Sequence, residues 1–341
     1  MSGISLQVHI ERLTAPEKLK CGDHAGHIVT APGHTHLLAV ADGVGSHSCD
    51  WVASEKACRS ATETFRATDG SIADRLLAAV HRAHQDVQDL DGAAEGATST
   101  LVLAAWTEGE EICRHVSVGD SRLYRVDAAG VSLLTTDDSI RVPVKIGGEL
   151  VVSAGAIRFT SPITRAIGYG YLGDTVVEES PLHNGDMIAA VTDGFHELNG
   201  FEGRLAAVFA AVDPVKTVKA ELVAAHEREG RDDATVAVLR RQEVDRHVLD
   251  ACRKMVQGGS IVDGADLPRH LLTRGLVALM SRLAAETNYE DLIAGVSFVR
   301  AEGLRLSRED AASVLDALMD DGSELAKRSY RELSRVSNSS Y

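Results

Sequence analysis

Apolar residues over positions 1–241 come in short runs separated by turn residues. The runs at 36–41, 98–105, 115–118, 123–126, 187–191 and 234–239 are short and rich in β-branched residues, which predicts strands. Two longer stretches, 49–66 and 72–88, predict helices. In the second, Ile72, Leu76, Leu77, Val80, His84 and Val87 fall on one face at helical spacing, with Ser71 placed to cap the first turn. Runs of strands separated by helix pairs predict α+β layers rather than a regular βαβ alternation. After Arg240-Arg241 the pattern changes to helix after helix, interrupted at Gly258-Gly259, at 264–268 and at Gly303, with Ser307 and Asp310 resembling a capping box. The pattern divides the chain into a domain at 1–241 and a small all-α extension at 242–341 that ends in a frayed tail.

The ends of the apolar runs carry the chemistry. LLAVA and IAAV close on Asp42-Gly43 and Asp193-Gly194, HVSV closes on Gly119-Asp120, and Asp232-Asp233 precedes ATVAVL. Asp-Gly is also a strong hairpin signal. Two features weigh against plain turns here: LLAVA and IAAV read as buried on both faces, and neither is followed by a convincing return strand. Gly43 and Gly194 would instead let backbone approach a ligand closely. Four acidic positions at strand ends could meet at one edge of a layered core, where their mutual repulsion favours cations between them. All-oxygen ligation favours Mg²⁺ or Mn²⁺ over Zn²⁺ or Cu²⁺. A shared carboxylate suggests two metals roughly 3.5 to 4 Å apart, able to activate a water and clamp a phosphate oxygen.

Composition narrows the alternatives. With 341 residues, 44% of them hydrophobic, the chain can bury a sizeable core. The net charge of −15 argues against a nucleic-acid binder, and 34 Asp and Glu against 22 Lys and Arg lie in the first 241 residues, beside 16 against 13 in the rest. Five scattered cysteines suggest neither a disulfide framework nor a thiolate zinc site. No run approaches the roughly 18 to 20 apolar residues of a membrane span, and the N-terminus lacks the apolar segment of a signal peptide, so a cytoplasmic protein with no membrane partner is expected. Residues 168–173 fit G-x-G-x-x-G, but no clear strand precedes them and no helix follows. His24, His27, His34 and His36 have neither the spacing nor the helix of a zinc site.

The segments AVADGVG, GATSTLVLA, VSVGDSRLYRV, ITRAIG, VTDGF and RDDATVAVL occur in an order and spacing that resembles the metal-dependent protein phosphatases of the 2C class, the PPM family, in a bacterial-type form. The resemblance covers 18–240. It implies a four-layer α-β-β-α sandwich with two antiparallel sheets and a metal cleft at one edge. It further implies that Asp42 bridges two metals, that Gly43 offers its carbonyl oxygen, that Asp193 and Asp232 complete the pair, and that Asp23 supplies the acidic residue of the first motif. Asp120 matches a position that, with Asp193, helps hold a third metal in many members. The implied reaction is hydrolysis of phosphoserine or phosphothreonine in proteins by a water bridging the metals, Mn²⁺ or Mg²⁺, with no phosphoenzyme. His47 is the candidate general acid, since its pKa sits near neutrality.

The chain departs from the family pattern at Lys18, where an arginine is usual and which becomes the candidate phosphate contact, and at Asp233, where asparagine is common. Lysine cannot grip a phosphate bidentately. The segment 138–163 is short for the usual flap and lacks recognisable family residues. Bacterial relatives often oppose a Ser/Thr kinase, which makes a cognate kinase, its substrate or a second copy of this chain the expected partner for residues 245–335. A phosphatase fold that docks or regulates a partner with little turnover is the competing expectation.

Overall fold

The structure is a computed structural model, and it describes residues 3–30, 35–44, 49–146, 149–153, 156–157, 159–211, 214–244, 246–258, 269–285, 288–301, 304, 327–328 and 331. Two five-stranded antiparallel sheets form its centre. One runs in the order β14 (Glu178–Pro181), β5 (Ile112–Val118), β4 (Leu101–Thr107), β3 (Thr35–Asp42), β2 (Asp23–Thr30). The other runs β1 (Gly3–Leu13), β16 (Ala234–Val244), β15 (Met187–Val191), β6 (Arg122–Asp127), β7 (Gly130–Leu133). Between β7 and β14 the chain makes three small ladders: β8 (Val142–Pro143) with β13 (Phe159–Thr160), β9 (Lys145–Ile146) with β10 (Glu149–Leu150), and β11 (Val152–Ser153) with β12 (Ala156–Ile157).

The side-chain period of two explains why the central strands read as continuous apolar runs. Along β3, Leu37, Ala39 and Ala41 point to the helices α1 (Asp50–Ala67) and α2 (Ile72–Gln88), while Leu38 and Val40 point between the sheets. Along β15, Met187, Ala189 and Val191 meet the helical layer of the other side, while Ile188 and Ala190 face inward. That layer comprises α3 (Asp193–His196), α4 (Phe201–Ala210) and a longer helix built from α5 (Pro214–Thr217), a π-helical stretch Val218–Val223 and α6 (Ala224–Glu229). The result is the four-layer α-β-β-α sandwich the motifs implied, an α+β fold. Ser71 caps α2 in a reciprocal box with Asp74.

Strands β1 and β2 and the helices at 201–229 were not expected from the pattern. The expected boundary at 241 falls inside β16, because that strand stays in register with β1 as far as Gly3 opposite Val244. Beyond it α7 (Arg246–Gly258), α8 (Arg269–Ala285) and α9 (Tyr289–Ala301) enclose a separate core of Cys252, Met255, Leu276, Met280, Leu292 and Val299, with α8 packed along β1. The capping box expected at Ser307 and Asp310, and the tail, lie outside the described residues. Among the described residues no helix is long and apolar enough to cross a membrane.

Candidate metal centre

Strand register brings the acidic positions to one edge. In the β2–β3 pair, Asp23 stands directly opposite Asp42. On the other sheet Val191 pairs with Val236, and the Thr192 amide continues the ladder to the Thr235 carbonyl at 3.1 Å, which places Asp193 beside the segment of Asp232 and Asp233. Asp120 occupies the turn from β5 to β6, where the chain passes from one sheet to the other. Thr192 ties the two sheets together: its hydroxyl donates to Asp23 Oδ2 at 2.8 Å and accepts from the Thr235 amide at 2.8 Å.

The backbone of Asp42 is fixed by GATST. The Asp42 amide donates to Thr100 Oγ1 at 2.9 Å, and the Asp42 carbonyl accepts from Ser99 Oγ and from the Thr100 amide, each at 2.8 Å. Thr100 Oγ1 in turn lies 2.7 Å from Ser121 Oγ, in the GDSR segment. The glycines after the two aspartates let the chain pack closely on itself. A Cβ at Gly43 would run into the Asp50 backbone, and one at Gly194 into the Asp233 carbonyl.

Burial and mutual repulsion set the protonation of this group. Burial raises Asp42 well above the ordinary carboxylate range, and the charges of Asp23 and Asp193 push the same way. Asp23 is raised to about 6 by burial, against the stabilising hydroxyl of Thr192. Asp193 reaches about 7 through burial and the charges of Asp120, Asp232 and Glu197. Asp120 reaches about 6, again mainly through burial. His196, whose Nε2 bonds the Asp120 carbonyl at 3.1 Å, is lowered to about 4 by burial and stays neutral. Asp23 Oδ1 and Asp193 Oδ1 are buried and have no hydrogen-bond partner. Beside Asp193 and Asp232 opens a cavity of about 400 Å³ that Glu197, Glu229 and Arg231 also line.

A family model described as Protein phosphatase 2C matches residues 15–227. The chain belongs to the protein phosphatase 2C family. A Streptococcus pyogenes protein named as a protein phosphatase of the 2C type is 25% identical over 216 residues, 61% of this chain and 87% of that one. Among solved structures, the serine/threonine phosphatase of S. agalactiae superposes with a TM-score of 0.57 at 20% identity, over 69% of this chain and 98% of that one. PstP is a serine/threonine phosphatase of Mycobacterium tuberculosis. Its catalytic domain, solved in complex with two manganese ions, gives a TM-score of 0.53 at 20% identity, over 70% of this chain and 99% of that one.

In this 2C-family chain, Asp23, Asp42, Gly43, Asp120, Asp193 and Asp232 lie at the same edge, and Lys18 joins them from the loop before β2. The Lys18 ammonium lies 2.8 Å from Asp233 Oδ2, 3.2 Å from Asp232 Oδ1 and 3.5 Å from Asp50 Oδ2. His47 lies outside the described residues. The fit to Mg²⁺ or Mn²⁺ rests on the donor set and its state. The donors are hard oxygens, burial and then neighbouring carboxylates raise the pKa values of Asp23, Asp42, Asp120 and Asp193, and two buried carboxylate oxygens lack partners. Among the described residues no three His, Cys, Asp or Glu side chains are arranged to hold a metal ion by themselves, so a cation bound here would keep several water ligands.

Sequence reasoning passed over Asp50, Ser99, Thr100 and Thr192, and read Asp233 only as a departure from the family pattern. All of these but Asp50 sit inside the matched motifs, where their hydroxyl or carboxylate was the available signal. Of the four histidines, His24 follows Asp23 and bonds Arg12 through Nδ1 at 3.2 Å, His27 and His36 stack at 5.4 Å, with His36 on Trp106, away from the Asp23–Asp42 end of β2 and β3, and His34 is outside the described residues. The loop 168–173 is pinned to α2, its Gly170 carbonyl accepting from Gln88 Nε2 at 2.6 Å.

Proposed function

We propose that the chain is a Mn²⁺- or Mg²⁺-dependent hydrolase of phosphoserine and phosphothreonine in proteins. The observation that carries the reading is the cluster of aspartates at one sheet edge, of which Asp23, Asp42, Asp120 and Asp193 are raised in pKa by burial and by neighbouring carboxylates, while Asp23 and Asp193 each keep a buried oxygen without a partner. Asp42, Asp23, Asp193 and Asp232, with the Gly43 carbonyl, would hold two cations, and Asp120 with Asp193 a third. When bound, the cations supply a nucleophilic water at neutral pH and polarise the phosphate. The protein's own part is to hold its carboxylates rigid and ionised once cations replace protons. Thr192, Ser99 and Thr100 do this through the bonds above, and the cavity of about 400 Å³ beside Asp193 offers room for a phosphorylated side chain. His47 is the candidate to protonate the leaving oxygen.

The reading is tested by hydrolysis of a phosphothreonine peptide with Mn²⁺, with and without chelator, in wild type, Asp42→Asn and Asp193→Asn. Activity that needs Mn²⁺ and is lost in both variants is expected; metal-independent turnover or full activity in both overturns it. A separate core in α7, α8 and α9 favours a second role for residues 245–335, recruitment of a cognate kinase or a second copy. A wild type that binds Mn²⁺ without turnover would favour that docking role as the main one. Deletion of the segment with unchanged activity, stability and association would end it.

A further inference from the structure

The loop 14–22 links β1 to β2, and one side chain holds both of its ends. Asp233 Oδ1 accepts from the Ala15 amide at 2.7 Å, and Asp233 Oδ2 accepts from the Gly22 amide at 2.6 Å and from Lys18 Nζ at 2.8 Å. The Asp233 side chain is only 2% exposed, so these three donors stand in for water entirely. Gly22 is a junction: its carbonyl accepts from the Gly43 amide at 3.1 Å and from the Ser54 hydroxyl, and its next neighbour is Asp23. On the other side, the Asp233 amide donates to Asp232 Oδ1 at 2.8 Å, the oxygen that Lys18 also reaches.

We infer that Asp233 is a positioning residue for the metal centre and that Lys18 works with it as one clamp. Through Gly22 the clamp fixes Asp23 and Gly43, which come from the N-terminal half, against Asp232 at the start of β16. Lys18 acts through carboxylates rather than on the substrate phosphate, since its ammonium faces three of them within 3.5 Å. The two positions at which the chain departs from the family pattern are therefore in contact with each other. Arginine in place of Lys18 would bring a wider, forked head to the same carboxylates, and asparagine in place of Asp233 would turn an N–H₂ group toward an amide or an ammonium. This inference rests on the metal-dependent reading of the same site.

Asp233→Asn, Lys18→Met and the double variant test it in the full chain. For Asp233→Asn, faster amide exchange at Ala15 and Gly22, a rise of about 10-fold in the Mn²⁺ dissociation constant and a kcat lowered about 10-fold with KM within about twofold are expected, as for other outer partners of metal ligands. Lys18→Met is expected to speed exchange at the same amides and leave KM for the phosphopeptide unchanged. The double variant is expected to be no worse than Asp233→Asn, because members of one unit do not add. Mn²⁺ affinity and kcat at wild-type values in Asp233→Asn, with only the melting temperature lowered, would reduce the residue to a structural one. A KM raised by the same factor when Lys18 is removed from either background would make Lys18 a phosphate contact and overturn the clamp. Mn²⁺ binding and amide exchange are read without turnover. A wild type lacking phosphatase activity would thus sink the functional reading, while the clamp would still stand or fall on those two measurements.

Discussion

The two ends of the β2–β3 pair are built on opposite principles. At one end Asp23, buried, faces Asp42, half-buried, both raised in pKa, with an unpartnered oxygen on Asp23. At the other, Thr30 faces Thr35. There Thr30 Oγ1 accepts from Arg75 at 3.0 Å, Thr35 Oγ1 lies 3.0 Å from Thr107 Oγ1, and Arg75 donates to the Phe65 carbonyl at 2.8 Å while stacking on its ring. Both ends are polar and largely buried. The threonine end is satisfied by neutral or singly charged partners and holds the sheet to the helices; the aspartate end is held in an unfavourable state by the rest of the fold. One pair of strands thus separates stability from reactivity along its own length.

The sharpest test of this contrast is Asp42→Asn. It is expected to lower phosphatase activity by at least about 100-fold while raising the melting temperature of the chelated protein, because it removes a carboxyl whose ionised form is disfavoured by burial and by like charges. A fall in both would mean that the aspartate end stabilises the fold as the threonine end does.

Next in size is the pH profile of stability in chelator. Asp23 and Asp120 at about 6 and Asp193 at about 7 lie above the value of roughly 4 for an unfolded aspartate, so the folded chain binds protons that the unfolded chain releases. The stabilisation is full below about pH 4 and is lost as pH rises through 6 to 7. Thermal melts are expected to show the melting temperature dropping over that window in chelator and holding with Mn²⁺. Identical profiles with and without Mn²⁺ would count against the aspartates as its ligands.

At the threonine end, Arg75→Met is expected to destabilise by about 2 kcal/mol, since it leaves the Phe65 carbonyl and Thr30 Oγ1 without their donor, and to leave kcat/KM unchanged. Urea unfolding beside the peptide assay checks both halves. Finally, one substitution can be made at both ends. Thr192→Val removes the hydroxyl on Asp23 Oδ2 and is expected to raise the Mn²⁺ requirement about 10-fold. Thr35→Val removes a hydroxyl pair and is expected to cost about 1 kcal/mol of stability with no change in Mn²⁺ requirement. Matching outcomes from the two would erase the distinction.

The sequence made the aspartates of β3 and β15 legible because those strands are covered on both faces, and an uninterrupted apolar run shows where it stops. β2 was not legible. Its residues from His24 to Ile28 are half-buried, and its place is set by pairing with β3 rather than by its own pattern. β1 mixes His9, Glu11 and Arg12 into an edge strand whose partner lies at the far end of the domain. Asp233 looked like a variation on a motif, for its meaning lies in three donors from residues 15–22, with which it shares no local pattern. Lys18 announced a positive charge at the site but not the carboxylates that receive it. Helices α4 to α6 escaped notice although Phe201, Leu205, Val208 and Leu222 are buried against the second sheet, their stripe being split by Pro214 and by the π-helical stretch.

The pairing of β1 with β16 has a consequence for how the protein is made. Both strands are matched residue for residue, and the loop after the first meets the aspartates before the second. During synthesis β1 leaves the ribosome early and waits for a partner more than two hundred residues behind it. Until that partner emerges, Asp23 and Asp42 have neither Asp232 nor the anchor of their loop. The edge at which the aspartates gather is therefore complete only after nearly the whole sandwich has been translated.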